Sequence, residues 1–395
     1  MVNQHMTRSW MEVDLDRIRH NFQVIRDTIG HEKEIIAVMK ANAYGLGAPG
    51  VARALDGMEG LYAMAVSCID EADVIKAAGV KTPILNMGHA DVRLAKRLAE
   101  LDIIQTLINP QYAKELSDAA VAAGVTLRCH IKVDTGMSRY GIYMHGAEDL
   151  QQAADLVQQE MALPNLVCEG LFTHFATADE PDTEFTRVQF SRFSMLLEEL
   201  KKRGIELPHS HCCNSGGFAY YPECRLNTVR SACIICGWHY IDALKDPMSI
   251  RAVITQVKDL KPGDMVGYEC TWTAKRQTKA AIIPIGYADG LPFELSNTGH
   301  ILINGQWAPI IGKVCMDLTI VDVTDIPDVK AGQVVTVFDS DYDSPANIAN
   351  ISSEYNLKRA AVESSFLPRM PRIYFEGGRP VADVSLTGYR SYETK

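Results

Sequence analysis

Lys40 closes an apolar run, Ala37-Val38-Met39-Lys40, and Ala41-Asn42-Ala43-Tyr44-Gly45 follow it. A lysine in that setting either snorkels its amine to the rim of the fold or keeps it buried. Burial disfavours the charged form, lowers the pKa and frees the amine to form a Schiff base with an aldehyde. Other reactive groups end similar runs: Lys132-Val133-Asp134-Thr135-Gly136-Met137-Ser138-Arg139, Thr173-His174-Phe175, Asn214-Ser215-Gly216-Gly217, and Arg230 within its own run. Taken singly, each has a bland account. His174 reads as a satisfied structural histidine, and the segment at Ser215 as a turn. Gathered at one mouth, they supply an amine, anion-binding backbone amides, a hydroxyl and guanidinium groups. A phosphorylated aldehyde and a carboxylate substrate need that set.

The elements that would gather them can be read from periodicity. Between residues 34 and 237, short β-branched runs at 34–41, 61–66, 82–88, 105–109, 126–134, 168–176, 210–214 and 228–237 read as strands. Helical periodicity fills segments between them, among them 91–101, 111–124 and 183–204, the last ending at a glycine cap. Strands and helices alternating in this way predict a (β/α)8 TIM barrel, whose chemistry sits at the carboxyl ends of its strands. A doubly wound sheet is the alternative that the pattern alone leaves open. Beyond residue 249 the texture changes to closely spaced strands at 252–260, 265–272, 280–286, 300–303, 309–323 and 333–339, the pattern of a β domain. The expected division is a barrel over 1–246 and a mainly β domain over 247–395. Residues 8–15 form a strand-like piece that can join the C-terminal sheet.

Composition narrows the partners. A net charge of −10 over 395 residues repels nucleic acid and anionic membranes on average. No apolar run approaches the roughly eighteen residues that cross a bilayer, and residues 1–10 lack a signal-peptide core, so a cytoplasmic protein acting on small molecules is expected. The 10 cysteines are too sparse for a disulfide scaffold, and most of them read as small buried core residues. Cys233-x-x-Cys236, near His211, Cys212, Cys213, Cys224 and His239, has zinc-site spacing. It lacks a second such pair and is expected in an apolar strand, so no metal is assigned.

The segment Val38-Met39-Lys40-Ala41-Asn42-Ala43-Tyr44-Gly45-Leu46-Gly47 resembles the cofactor-lysine signature of the alanine racemase family. Five further segments fit the family in order: 132–139, 170–180 (GLFTHFATADE), 211–217, 284–290 (PIGYADG) and 312–323 (GKVCMDLTIVDV). The likeness extends from about Trp10 to Tyr374. It implies a fold-type III arrangement, a barrel with a C-terminal β domain, and pyridoxal 5'-phosphate as cofactor. By resemblance, Lys40 holds the cofactor; Tyr44, His174, Asn214, Ser215 and the amides of Ala232 and Cys233 contact it; Arg230 faces the pyridine nitrogen. Tyr287 is the second base, reaching the barrel mouth of the partner subunit in a homodimer, with His174 as its polar support. Arg139 and the backbone at Met316 orient the substrate carboxylate. Lys132 matches a position that is often carbamylated in the family.

The chemistry agrees with these roles. Racemisation needs a base on each face of the substrate, here Lys40 and Tyr287. A tyrosine of ordinary pKa near 10 is a poor base at neutral pH, so cationic help relayed from Arg230 through His174 is needed. Arginine at the pyridine nitrogen disfavours protonation there, weakens the electron sink and limits side reactions.

Three departures from the family pattern bear on substrate choice: Arg230-Ser231-Ala232-Cys233 in place of a proline and glycine after the arginine, Gly290-Leu291-Pro292-Phe293 after the GYADG segment, and Pro368 where some alanine racemases carry a tyrosine. Interconversion of L- and D-alanine, supplying D-alanine for peptidoglycan, is the expected activity. Serine or a broader set of amino acids is the alternative, since racemases of vancomycin-resistance systems also resemble this chain. A non-catalytic cofactor-binding barrel would share the lysine but lack the second domain and its tyrosine, here Tyr287; a fold-type III decarboxylase would share the lysine and the two-domain layout, but the GYADG and VCMD segments match racemases instead.

Overall fold

The computed structural model describes residues 6–392 and separates them into two compact units. The first five and last three residues of the expected domains lie outside the described residues. One unit holds residues 18–43 and 51–244, the other residues up to Arg17 together with 44–50 and those from Lys245 onward.

In the first unit, eight parallel strands follow in chain order: Glu34–Val38, Leu61–Val66, Ile84–Asn86, Ile103–Leu107, Leu127–Asp134, Leu166–Phe172, His209–His211 and Thr228–Ser231. Each pairs with the next as far as the seventh, and the eighth returns to pair with the first, Thr228 opposite Glu34 and Ser231 opposite Ala37. Between the seventh and eighth strands the Arg230 N–H donates to the Cys213 carbonyl at 3.3 Å. The ring is therefore a nearly closed barrel, as the alternating pattern predicts.

Local chemistry sets the helices around it. Pro110–Ala123 starts where the Asn109 side chain accepts the Tyr112 N–H at 2.8 Å, with proline in the first turn, and stops at Gly124 with φ 66°. It buries Tyr112, Ala113, Leu116, Ser117 and Ala120, one stripe of its surface. Ile35, Ile36, Met64, Ile104, Leu107, Ile131, Leu171 and Val229 are all fully buried in the strands, each contributing about 1.5–3 kcal/mol.

In the other unit an eight-stranded sheet runs Gln306–Pro309, His300–Ile303, Val334–Phe338, Met248–Val253, Ser9–Asp14, Arg372–Glu376, Arg379–Ser385, Gly388–Ser391. The N-terminal strand joins this sheet as expected, antiparallel to Met248–Val253 and parallel to Arg372–Glu376. A second sheet of Gln256–Leu260, Thr278–Ile283 and Thr319–Asp322 closes over Leu260, Val266, Ala274, Ala280 and Ile311. The 44–50 segment is held here. The buried Arg372 guanidinium donates to the Gly45 carbonyl at 2.9 Å, and the Tyr374 hydroxyl to the Gly47 carbonyl at 2.9 Å. Gly45 has φ 85°, and a Cβ there would lie 2.0 Å from the Glu363 carbonyl oxygen, so only glycine fits.

Several expected strand limits change. The run 228–237 is a strand only to Ser231; Cys233–Cys236 is a helical turn capped by Gly237 in the left-handed region. The Cys233/Cys236 pair therefore lies in a turn and not in the strand anticipated for it. The run 34–41 stops at Val38, because Ala41 enters a left-handed turn that no strand tolerates. Runs 252–260, 265–272 and 309–323 each break into shorter strands, and helices Ile348–Glu354 and Arg359–Ser364 with the last three strands were not anticipated.

Candidate active site

Lys40 leaves the carboxyl end of the first barrel strand on a turn of unusual hand. Ala41, Asn42, Ala43 and Tyr44 all have φ between 51° and 54°. Left-handed helical backbone costs L-residues about 1–2 kcal/mol each, so other interactions must hold the turn. The Glu71 carboxylate accepts the Ala41 N–H at 2.5 Å and the Ser67 N–H at 2.8 Å, and the Ala43 N–H donates to the Met39 carbonyl at 2.8 Å. The Lys40 amine is pushed below the usual lysine range by burial and by the nearby cations Arg139 and Arg230, against a weaker opposing pull from Glu71.

Because Ser231 stands level with Ala37, Lys40 and the 232–233 turn leave the same end of neighbouring strands. There the Ser215 hydroxyl accepts the amides of Ala232 at 3.1 Å and Cys233 at 3.2 Å. Asn214 fixes the segment by accepting the Gly217 N–H at 2.8 Å. A Cβ at Gly216 would lie 2.2 Å from the Ala178 carbonyl oxygen, so close packing requires glycine.

Arg230 is buried in the barrel interior. Its guanidinium contacts His211 Nδ1 at 2.6 Å, His174 Nδ1 at 2.8 Å and the Thr173 carbonyl at 3.3 Å. Arginine only donates, so both imidazoles present lone pairs to it. Both are also held neutral: burial and then the Arg230 charge push His211 and His174 well below the usual histidine range. Lys132 sits over the Phe172 ring, its amine 4.3 Å from the centroid. Burial, Arg230 and Arg139 drive that amine far below its usual range, against a weaker opposing pull from Asp134. Arg139 lies on an exposed turn that Asp134 organises by accepting the Gly136 and Ser138 amides, each at 3.0 Å.

The other unit brings Tyr287 and Met316 together. The Tyr287 N–H donates to the Cys315 carbonyl at 3.1 Å and the Ala288 N–H to the Met316 carbonyl at 3.0 Å. Both side chains are exposed, Tyr287 by 43%. The turn is anchored by Asp289, which sequence reading passed over inside GYADG. Its buried carboxylate takes two hydrogen bonds from Arg8, one from Arg369 at 2.7 Å and one from the Gly286 N–H at 3.0 Å. Burial raises the Asp289 pKa, and the two guanidiniums and the amide outweigh it, so the net shift is downward.

A carboxyl whose pKa is lower folded than unfolded contributes stability above its unfolded value, and that contribution disappears as pH falls through the folded value. Asp289→Asn is expected to cost about 3 kcal/mol at neutral pH, the low end for a broken buried pair because both arginines are about a third exposed. In thermal melts, the Tm gap to the unsubstituted protein should close below about pH 4. A gap independent of pH would remove the ion pairs from the account.

The donor set fits a phosphorylated aldehyde: an amine of depressed pKa for the aldehyde, a hydroxyl and two amides for a phosphate, and a buried guanidinium for a ring nitrogen. Comparison with known proteins agrees. Residues 13–237 match the family model "Alanine racemase, N-terminal domain" and 247–374 match "Alanine racemase, C-terminal domain". The chain is 38% identical over 377 residues to an alanine racemase of Clostridium perfringens, covering 92% of this chain and 95% of that protein. Among solved structures, the alanine racemase of Clostridium difficile 630 superposes with a TM-score of 0.88 at 28% identity, covering 96% of this chain and 98% of that one. The alanine racemase of Bartonella henselae with covalently bound pyridoxal phosphate gives 0.81 at 26%, covering 93% and 100%.

Proposed function

The chain belongs to the alanine racemase family, and on that premise we propose that it interconverts L- and D-alanine, with pyridoxal phosphate held by Lys40 and with Lys40 and Tyr287 as the two bases. The observation that carries the assignment is Lys40 itself, an amine of lowered pKa at the carboxyl end of a barrel strand. Bound pyridoxal phosphate supplies the aldehyde that condenses with an amine and the ring that acidifies the substrate's α-proton.

The chain's own residues do the rest. Tyr44, the Ser215 hydroxyl and the amides of Ala232 and Cys233, with Asn214 bracing the segment, bind phosphate. Arg230, whose guanidinium also contacts His211, His174 and the Thr173 carbonyl, would face the pyridine nitrogen. Lys40 takes or returns the α-proton on one face and Tyr287 on the other, with His174 relaying the influence of Arg230. Arg139 and the Met316 backbone orient the carboxylate, and a carbamate on Lys132 would give Arg139 an anionic partner. Two subunits form a homodimer in which Tyr287 of one completes the barrel mouth of the other. No described helix is long and apolar enough to cross a membrane. We place the enzyme in the cytoplasm, supplying D-alanine for peptidoglycan.

The test is a panel of pure L-amino acids, with D-product followed by chiral chromatography and carbon dioxide by trapping. D-alanine formation without gas release is expected. Carbon dioxide evolution would identify a decarboxylase, and faster conversion of serine than alanine would reassign the substrate.

A further inference from the structure

A chain of polar side chains, buried from Arg230 through His130 and half-buried from Tyr62 to Arg128, leads down through the barrel interior to the amino end of the strands, and the active-site assignment does not use most of it. His211 Nε2 meets His130 Nδ1 at 3.0 Å, and His130 Nε2 meets the Tyr62 hydroxyl at 3.1 Å. The Tyr62 hydroxyl donates to Glu169 at 2.6 Å, and Arg128 pairs with Glu169 at 2.9 Å and with Asp102 at 3.0 Å.

The chain has one direction. Arg230 only donates, so His211 must accept through Nδ1. A neutral imidazole that accepts on one nitrogen carries its proton on the other, so His211 donates from Nε2 to His130 Nδ1. By the same rule His130 donates from Nε2 to the Tyr62 oxygen, and Tyr62 donates to the Glu169 carboxylate. Neutrality holds at both rings: burial, His209, Arg128 and Arg230 push His130 down to about 3, and His211 lies well below the usual range.

The backbone is shaped to permit this. The pairing of the first and second strands passes from Ile35 opposite Leu61 to Ile36 opposite Ala63, leaving Tyr62 as the extra residue. That of the fifth and sixth passes from Cys129 opposite Cys168 to His130 opposite Gly170, leaving Glu169 extra. Each irregularity re-aims one side chain, and the two re-aimed residues are the ones that hydrogen-bond to each other. Gly170 makes room for the ring, since a Cβ there would lie 2.5 Å from three His130 imidazole atoms.

We propose that Tyr62 and Glu169 are positioning residues for the reaction: from the far end of the barrel they fix the tautomers of His130 and His211, so that His211 stays a lone-pair acceptor and holds Arg230 aimed at the mouth. The tautomer order stands on the hydrogen-bond geometry alone; its effect on racemisation rests on the function proposed above.

The experiment uses holoenzyme with nitrogen-labelled histidine. Nitrogen NMR distinguishes protonated from unprotonated ring nitrogens, and the unsubstituted protein should show His211 and His130 each protonated only at Nε2. Tyr62→Phe strands the His130 Nε2 proton without an acceptor. It is expected to give a second His130 species in the spectrum and roughly a tenfold loss of kcat, with KM for alanine moving less than about twofold. Glu169→Gln keeps a carbonyl oxygen for Tyr62 and is expected to lower Tm through its loss of charge opposite Arg128, while leaving both tautomers in place. Protonation of His211 at Nδ1 in the unsubstituted protein would overturn the directed chain. An altered spectrum with unchanged kcat in Tyr62→Phe would overturn the positioning role. Absence of racemase activity in the unsubstituted protein would fault the function while the NMR arm still reads the chain.

Discussion

Lys40→Ala is expected to give a colourless protein in which alanine racemisation falls by more than about 10,000-fold, since in the proposed mechanism it removes both the anchoring amine and one of the two bases. The reasoning starts from charge. A Schiff base forms from the neutral amine, and burial together with Arg139 and Arg230 makes Lys40 easier to deprotonate than an exposed lysine. Lys132, in the fifth strand, is the rival amine, its pKa also lowered, but it lies buried over the Phe172 ring of the sixth strand. Lys132→Ala should therefore keep the visible absorption of the bound cofactor and, by removing the carbamate proposed as the anionic partner of Arg139, weaken alanine binding. Absorption spectra and a chiral assay on the two variants decide the matter. A coloured, active Lys40→Ala protein, or a colourless Lys132→Ala protein, would exchange the two assignments.

How far these residues were legible in the sequence depends on whether their signal is local. Lys40, His174 and Ser215 end apolar runs, and a run's end is visible without knowing the fold. The barrel is legible for the same reason, because alternation of strand and helix is a property of short windows. The failures also have local causes. Cys233-Ile234-Ile235-Cys236 is an apolar, β-branched run too short for its period to distinguish strand from helix, and the Gly237 cap resolved it only in three dimensions. The left-handed turn at Ala41, Asn42 and Ala43 carries no glycine to announce it; it persists because Glu71, thirty positions along the chain, accepts the Ala41 amide.

Tyr62, His130 and Glu169 were invisible for a different reason. They lie in the second, fifth and sixth strands, and two of them face one another only because the strand pairing slips by a residue. A slip has no compositional mark, and strict alternation would send the neighbours Glu169 and Gly170 to opposite faces, whereas both meet the Tyr62–His130 pair. Asp289 was overlooked because an aspartate after a tyrosine reads as turn chemistry. Its partners Arg8 and Arg369 come from opposite ends of the sequence and meet it only through the sheet that the N-terminal strand joins.

Mixed dimers should recover activity that neither parent variant has. In the proposed homodimer, Lys40 belongs to one subunit's barrel and Tyr287 to the other subunit's β unit, so every site draws one base from each chain. Lys40→Ala and Tyr287→Phe homodimers each lack one base at both sites and should be nearly inactive. When the two proteins are unfolded together in equal amounts and refolded with cofactor, random pairing makes roughly half the dimers mixed. In a mixed dimer one site combines both defects and the other combines two unsubstituted bases. Half the dimers with one of two sites intact corresponds to roughly a quarter of the unsubstituted activity. Tyr287→Phe retains the ring and the backbone bond to Cys315, so it removes the hydroxyl without disturbing the turn. If both bases instead came from one chain, every site in every mixture would keep a defect, and activity would stay at the level of the parents. Mass measurement of the refolded dimers separates this from failed exchange: confirmed heterodimers without recovered activity would rule out the shared site.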